Sequence, residues 1–302
     1  MALFAQELSV MTYNIKLDYP KEGKNSWVNR KPMVVGQIKF YEPDIFGVQE
    51  ALPNQMKDLD SLLVYYKFIG VGRDDGEDEG EFSAIFYNKE KFKVLKSSTF
   101  WLSQTPDKVS MGWDAVCNRV CTYSLFQNKK TNEKFWIFNT HFDHIGVDAR
   151  KNSATLIIQK IKEINTKNFP VILMGDFNME ETHESIQFVT KHLKDSKTIS
   201  GTTPFGPTGT FNGFHFEKPV TRRIDYIFVS DKFKVNKYAV LSDSKDTKYP
   251  SDHLPVYIEL EITVEWITQR IKLRIGDLGL SFPTNPNVFM SNSIKISIIN
   301  KN

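Results

Sequence analysis

Acidic, amide and histidine side chains recur where the apolar, strand-like runs of this sequence begin or end. These positions are Asn14, Glu50, His141 and Asp176 after such runs, and Asp225, Asp252 and His253 before them. Carboxylate and amide oxygens are the ligands that Mg²⁺ prefers, and a neighbouring histidine or aspartate can move a proton. These residue types therefore suit metal-assisted attack of water on phosphate. The segment Met174-Gly175-Asp176-Phe177-Asn178 adds a second amide to the same set.

The elements that must position these residues alternate between apolar strand-like runs and amphipathic helices, which indicates the α/β class. Helices are predicted at 27–41 with Ser26 as the N-cap, from Pro53 through 62, and at 149–164. Further strands are predicted near 83–88, 92–101, 120–127 and 134–140. Short polar turns separate several of them, so antiparallel neighbours are expected beside parallel ones. We therefore expect a mixed sheet in which six strand ends converge on one edge, referred to below as the rim.

Length and composition allow one large α/β domain or two smaller ones, and either would bury a substantial core. The chain has 302 residues and a net charge of +3, too weak by itself to indicate nucleic acid. No apolar run approaches a membrane-spanning length. Cys117 and Cys121, four positions apart in an expected strand, would lie about 13 Å apart, beyond disulfide reach. Free thiols are therefore expected.

The two ends of the chain differ from the motif-bearing part, which covers residues 8–262. Residues 1–7 lack the features of a signal peptide, although 3–6 resemble the small-residue end of a cleavage region. The sequence as given indicates a cytoplasmic protein, and a trimmed leader would instead indicate an exported or periplasmic one. Residues 263–302 are interpreted as an appended segment. Between the ends, 74–81 is expected to be a solvated acidic loop and 201–213 a long loop suited to substrate contacts.

The motifs, in their order along residues 8–262, resemble those of the endonuclease/exonuclease/phosphatase superfamily, which includes deoxyribonuclease I. The matching pieces are Thr12-Tyr13-Asn14-Ile15, Gln49-Glu50, Asn139-Thr140-His141, Gly175-Asp176-Phe177-Asn178, Ile224-Asp225-Tyr226 and Ser251-Asp252-His253-Leu254-Pro255-Val256. Residues 139–144, Asn-Thr-His-Phe-Asp-His, resemble a bacterial branch of that superfamily. The resemblance implies a four-layer α/β sandwich, with two mixed β-sheets packed face to face and helices outside.

The resemblance also implies roles for the site residues. The positions that match the family's metal site, for Mg²⁺ or alternatively Mn²⁺, are Asn14, Glu50 and Asp252. Those that match its catalytic residues are His141, Asp176, Asn178, Asp225, His253 and Glu81. In the family pattern Asp176 and Asn178 orient and activate the attacking water. The two histidines stabilise the charge that grows on phosphate. A carboxylate partner favours the imidazolium form of a histidine, and the resemblance implies that Asp225 is the partner of His253.

Three further residues are candidates for substrate contacts. Arg119 is a candidate phosphate ligand, and His144 and Arg150 follow the bacterial-branch motif. A purely structural role is an equally open interpretation of His144, Arg150 and their neighbour Asp143. His183, His192 and His215 lack supporting neighbours and are interpreted as surface or core residues.

The first functional hypothesis is a Mg²⁺-dependent phosphodiesterase that acts as a monomer on a phosphodiester, with nucleic acid as the leading candidate. A phosphomonoesterase, or a lipid phosphodiesterase of the inositol phosphate or sphingomyelin type, is the alternative. A catalytically silent binding module is a third class of answer. The presence of Glu50, Asp176 and His253 argues against that class, because such a module is expected to have lost at least one of them.

Overall fold

A computed structural model describes residues 7–263. The two predicted terminal segments therefore lie almost entirely outside the described residues, which exclude 1–6 and 264–302. Four α-helices are interspersed among twelve strands in residues 7–263. In order they are β1 (Leu8–Asn14), α1 (Trp27–Tyr41), β2 (Ile45–Gln49), α2 (Pro53–Leu62), β3 (Tyr66–Ile69), β4 (Ile85–Asn88), β5 (Phe92–Trp101), β6 (Val120–Asn128), β7 (Lys134–His141), α3 (Val147–Ile164), β8 (Val171–Asp176), α4 (Glu184–Thr190), β9 (Lys194–Asp195), β10 (Asp225–Val229), β11 (Phe233–Val240) and β12 (Val256–Ile262). Across residues 7–263, no helix has the length and apolarity needed to cross a membrane.

Most predicted elements have the observed bounds to within two residues. The helices α1 and α2 and the strand β5 agree at both ends, and α3 begins two residues earlier than predicted. Ser26 occupies the N-cap position of α1, but its side chain makes no capping hydrogen bond among the described residues. The elements β3, β9, β11 and α4 were not predicted. Both cysteines are free, and Cys117 lies in the loop before β6 rather than in the strand.

Two six-stranded mixed sheets form the inner layers, which confirms the predicted four-layer sandwich. The first sheet has the strand order β11-β12-β1-β2-β4-β3, and the second has β5-β6-β7-β8-β10-β9. Their facing surfaces share one apolar core, to which Val10 and Ile258 contribute from the first sheet and Ile172 and Ile227 from the second. The helices α1 and α2 cover the outer face of the first sheet, and α3 and α4 cover that of the second.

The topology brings the polar strand ends to one edge of the sandwich. The pairs β1–β2 and β7–β8 are parallel, so their carboxyl ends lie together. The strand β10 runs antiparallel to β8 with Asp225 opposite Asp176, and β12 runs antiparallel to β1. The segments that precede β10 and β12 therefore reach the same edge. This edge is the predicted rim.

A buried polar network joins the two sheets beneath that rim. The Gln49 Nε2 atom donates to Thr12 Oγ1 at 3.0 Å and to Asn139 Oδ1 at 2.7 Å. The Asn139 Nδ2 atom in turn donates to the carbonyl oxygens of Val48 and Ala84 at 3.0 and 2.8 Å. Buried hydrogen bonds of this kind fix one relative position of the packed layers, because a shift would leave polar groups unpaired. The network therefore sets the separation between the residues carried by each sheet.

Candidate active site

Three residues at the rim have left-handed backbone conformations, which side chains other than glycine rarely adopt. They are Lys16 (φ 58°), Glu50 (φ 60°) and Asn178 (φ 52°), and each follows a strand by one or two residues. Such conformations persist where surrounding contacts hold them, and they are concentrated at functional sites. Three backbone hydrogen bonds hold Lys16: its N–H donates to Asn14 Oδ1, and its carbonyl accepts from Arg30 and Gln55. The chain therefore turns sharply as it leaves these strands.

Asn14 ties the two principal carboxylates together. Its Nδ2 atom donates to Glu50 Oε1 at 3.0 Å and to Asp176 Oδ2 at 2.9 Å, whereas its Oδ1 atom accepts from the Lys16 N–H. The Leu17 N–H donates to the other Glu50 oxygen at 3.1 Å. In these contacts Asn14 presents its amide nitrogen, not its oxygen, to the carboxylates. Its assignment as a metal ligand stays a prediction.

Lys16 bridges two of the predicted metal ligands. Its Nζ atom lies 3.6 Å from Glu50 Oε2 and 3.6 Å from Asp252 Oδ2. Burial disfavours the charged form of Glu50, but the positive charges of Lys16 and His253 outweigh it and lower the pKa of Glu50. The pKa of Asp252 is raised, mainly by burial. Glu50 is thus held as a carboxylate in a site that attracts positive charge.

His253 forms a buried ion pair with Asp225. Its Nδ1 atom lies 2.9 Å from Asp225 Oδ2, which also accepts a hydrogen bond from the Thr210 hydroxyl at 2.5 Å. Its Nε2 atom lies 3.8 Å from Asp176 Oδ2. Burial opposes protonation of His253, but the charges of Asp225 and Asp176 outweigh it and raise its pKa to about 10. His253 is therefore an imidazolium at neutral pH.

His141 has the opposite charge state. Burial, reinforced by the charges of Arg119 and Arg73, holds its pKa well below the ordinary value of 6.5. The Asn178 Nδ2 atom lies 3.1 Å from His141 Nε2, and because an amide nitrogen can only donate, this ring nitrogen accepts. The proton is then on Nδ1, which lies 3.8 Å from Glu81 Oε2. The expected imidazolium form therefore fits His253 and does not fit His141.

Asp176 lies between the two histidines and titrates near neutral pH. Its Oδ2 atom is 3.4 Å from His141 Nε2, and its Oδ1 atom accepts from the Asn178 N–H at 2.9 Å. Burial and the negative charge of Asp225 raise the pKa of Asp176 to about 7. A carboxylate with such a pKa can accept a proton from water and return it near neutral pH. The group thus has the properties of a general base.

The predicted substrate residues form a second group beside His141. Arg119 is buried, its Nε atom lies 3.4 Å from Asp143 Oδ2, and its Nη2 atom lies 3.0 Å from His144 Nδ1. The Arg150 Nη1 atom donates to the carbonyl oxygen of His144 at 3.0 Å. Of the three, His144 is the exposed one. Arg119 therefore reaches His144 rather than open solvent.

Sequence reasoning missed several residues that contact this set. Lys16 gave no signal because a lysine after a strand is common, and its position depends on the left-handed turn. Arg73 donates at 2.6 Å to the Oε2 atom of Glu81, which lies in the segment 74–81 that was predicted to be a solvated loop. Thr210 lies in the long loop 201–213, where contacts were expected but no particular residue could be chosen. The remaining predicted residues are brought to one rim.

The fold and this rim identify the class of protein. The model of the "Endonuclease/Exonuclease/phosphatase family" matches residues 11–253, and the chain belongs to that family. It is therefore a hydrolase acting on phosphoester bonds.

Individual relatives differ in what their names state. The chain is similar to the solved structure of a Bacteroides thetaiotaomicron mannosyl-6-phosphatase, with 43% identity, a TM-score of 0.80, and coverage of 84% of this chain and 99% of that one. An uncharacterised Acanthamoeba polyphaga mimivirus protein is 30% identical over 78% of this chain and 92% of its own length. A 3'-5'-exoribonuclease subunit of Kluyveromyces lactis is 22% identical over 79% of this chain and 38% of its own length.

The residues at the rim fit the divalent metal on which enzymes of this family generally depend. Ligand atoms of Glu50, His141 and Asp176 lie within 4.8 Å of one another, and so do those of Asp176, Asp225 and His253. The first group includes two carboxylates, which suit a hard cation. The ammonium of Lys16 lies beside Glu50, so a positive charge is already accommodated there. The second group contains the imidazolium His253, which is a poor metal ligand. The donor chemistry therefore favours the Glu50 side of Asp176.

Proposed function

We propose that this protein is a Mg²⁺-dependent phosphomonoesterase that releases phosphate from a phosphorylated sugar. The observation that carries the proposal is the 43% identity to a mannosyl-6-phosphatase across 99% of that chain. Relatives whose names state an exonuclease activity are less similar: the Kluyveromyces lactis subunit is 22% identical and matched over 38% of its length, and a probable RNA exonuclease of Saccharomyces cerevisiae is 27% identical and matched over 40%. Asn14, Glu50 and Asp252 would hold the metal, with Mn²⁺ as the alternative ion. When bound, the ion would polarise a phosphoryl oxygen and offset its charge.

Different side chains supply the base and the acid that hydrolysis needs. Asp176, oriented by Asn14 and Asn178, accepts a proton from water as the water oxygen attacks phosphorus. The bond between phosphorus and the sugar oxygen breaks, and the imidazolium of His253 supplies the proton that this oxygen takes up. Neutral His141 adds no charge to the site, and its Nε2 atom accepts the hydrogen bond from the Asn178 amide. Asp225 keeps His253 protonated until that transfer.

The acidic segment 74–81 borders the site and argues against a long polyanionic substrate. Asp74 accepts a hydrogen bond from Asn118 at 3.0 Å, next in the chain to Arg119, and Glu81 lies near His141. Exposed Asp75, Glu77 and Asp78 extend the negative charge beyond these contacts. A nucleic-acid backbone along this wall would be repelled. A small phosphomonoester needs to bring only one phosphate to the rim.

A nuclease is the second candidate, because the exoribonuclease relative is matched over 79% of this chain. The two functions are separated by a substrate panel of mannose 6-phosphate, glucose 6-phosphate, poly(A), plasmid DNA and bis(4-nitrophenyl) phosphate. Each is assayed with Mg²⁺, with Mn²⁺ and with EDTA. The proposal requires metal-dependent release of phosphate from the sugar phosphates.

The controls are Asp176→Asn, which should lose activity, and Asp243→Asn. Asp243 is exposed and contacts Gln37 and Tyr41, away from the rim, so its variant should keep wild-type activity. Cleavage of poly(A) or DNA with no turnover of the sugar phosphates would reject the phosphomonoesterase and favour the nuclease.

A further inference from the structure

His144 is an exposed histidine that is held from behind by a buried arginine. Arg119 is only 5% exposed, and its guanidinium lies between Asp143 and His144. Its Nη1 atom is buried and has no hydrogen-bond partner within residues 7–263. Asp143 is fixed in turn, because its Oδ1 atom accepts from the N–H groups of Ile145 and Gly146 at 2.9 and 2.7 Å. The two residues that hold His144, Arg119 and Asp143, are thus buried and are fixed by their own contacts.

The direction of the hydrogen bond determines which nitrogen of His144 carries its proton. A guanidinium can only donate, so Nδ1, which lies 3.0 Å from Arg119 Nη2, must accept. The ring is then neutral, with its proton on Nε2. Arg150 holds the backbone of the same residue through the His144 carbonyl oxygen. Since the side chain is exposed, the arrangement presents one oriented, uncharged N–H donor beside the site.

We propose that His144 contacts a hydroxyl group of the sugar on the leaving-group side of the phosphate, and that Arg119 is the residue that positions it. This assignment rests on the proposed phosphomonoesterase function. His144 follows His141 by three residues and contacts Arg119, whose neighbour in the chain, Asn118, donates to Asp74. The Asn118 amide, the Asp74 carboxylate and the neutral imidazole of His144 together offer hydrogen-bond donors and acceptors. Hydroxyl groups need both, whereas a second phosphate would need free cations.

The kinetic test compares mannose 6-phosphate with phenyl phosphate, which has no hydroxyl groups on its leaving group. Loss of one neutral hydrogen bond corresponds to roughly a tenfold effect. We expect His144→Ala to lower kcat/KM for mannose 6-phosphate roughly tenfold more than for phenyl phosphate, mainly through KM. The matched control is His192→Ala, because His192 is exposed and packs on Phe188 away from the rim. An equal loss for both substrates would overturn the proposal.

A spectroscopic test reads the positioning role without any turnover. Nitrogen-15 NMR of the labelled protein should show His144 as the Nε2–H tautomer. Arg119→Met should convert it to a mixture of tautomers, and Arg119→Lys, which retains a donor, should restore part of the preference. Thermal melting checks that each variant folds. An Nδ1–H tautomer in the wild type, or the same tautomer in Arg119→Met, would overturn the role of Arg119.

The two tests also separate this inference from the proposed function. A wild-type protein that hydrolyses no sugar phosphate would reject the function and, with it, the sugar contact of His144. A wild-type protein that hydrolyses mannose 6-phosphate, with a His144→Ala variant of unchanged substrate preference, would reject the inference alone.

Discussion

Replacing Asp225 with asparagine should remove the charge that keeps His253 protonated. The amide oxygen of asparagine can still accept from His253 Nδ1, so the geometry is preserved while the charge is lost. At 2.9 Å, with an effective dielectric constant of about 20, two unit charges attract by about 6 kcal/mol, equivalent to about 4 pH units. The His253 pKa of about 10 should therefore fall to about 6 in Asp225→Asn.

The pH dependence of activity gives the assay. In the wild type the His253 imidazolium persists until the pH rises through about 10, so this group should not limit kcat between pH 6 and 9. In Asp225→Asn, kcat relative to that of the wild type should decline as the pH rises through about 6. At pH 8 only about 1% of the variant would carry the proton, which predicts a kcat roughly 100-fold below that of the wild type, whereas near pH 5.5 the two kcat values should differ by less than about twofold. Asp176, with a pKa of about 7, should limit the acid side of both profiles.

Proton NMR of His253 reports the same pKa independently of turnover. Asp243→Asn is the control for removal of a carboxylate outside the site and should leave the His253 pKa near 10. The reasoning would be refuted if His253 in Asp225→Asn still titrated near 10. A pH-independent loss of kcat would also refute it, since that result would assign Asp225 a role other than maintaining the charge of His253.

Three further predictions concern stability and metal binding. Burial raises the Asp176 pKa to about 7 from its ordinary 3.8, so ionisation destabilises the fold as the pH rises between these values. In EDTA at pH 8, the free energy of unfolding of Asp176→Asn should therefore exceed that of the wild type by up to about 4 kcal/mol. At pH 4 the difference should be much smaller, and a pH-independent difference would contradict this. Lys16→Met removes the ammonium that competes with a cation at Glu50, so calorimetric titration should show Mg²⁺ binding at least about threefold more tightly, and unchanged or weaker binding would contradict the competition. In Gly175→Ala the new Cβ would lie 1.9 Å from the Thr140 carbonyl oxygen, so urea denaturation should show a loss of about 3 kcal/mol, and wild-type stability would exclude that close approach.

Apolar periodicity determined the regular elements because their buried faces follow a single repeat. The bounds of α1 and α2 agreed with the prediction at both ends. The strand β11 was missed although its residues alternate between buried and exposed, because a bulge between Val235 and Lys237 shifts the register. The helix α4 has seven residues, too few for a clear helical period. Its N-cap is His183, whose Nδ1 atom accepts from the Ser185 N–H.

The sequence by itself determined which residue types stand at the strand ends, and with them the family fold and the carboxylate, amide and histidine residues of the candidate site, but not Lys16, Arg73 or Thr210. Strand ends are local features of the sequence. Parallel pairing brings the carboxyl ends of neighbouring strands together independently of the conformation of the loops. Contacts between distant segments decided the chemical state of those residues. Asp225 charges His253, whereas burial beside Arg119 and Arg73 keeps His141 neutral. Charge and burial depend on distances in three dimensions, so two similar histidine motifs acquire opposite protonation states only in the folded protein.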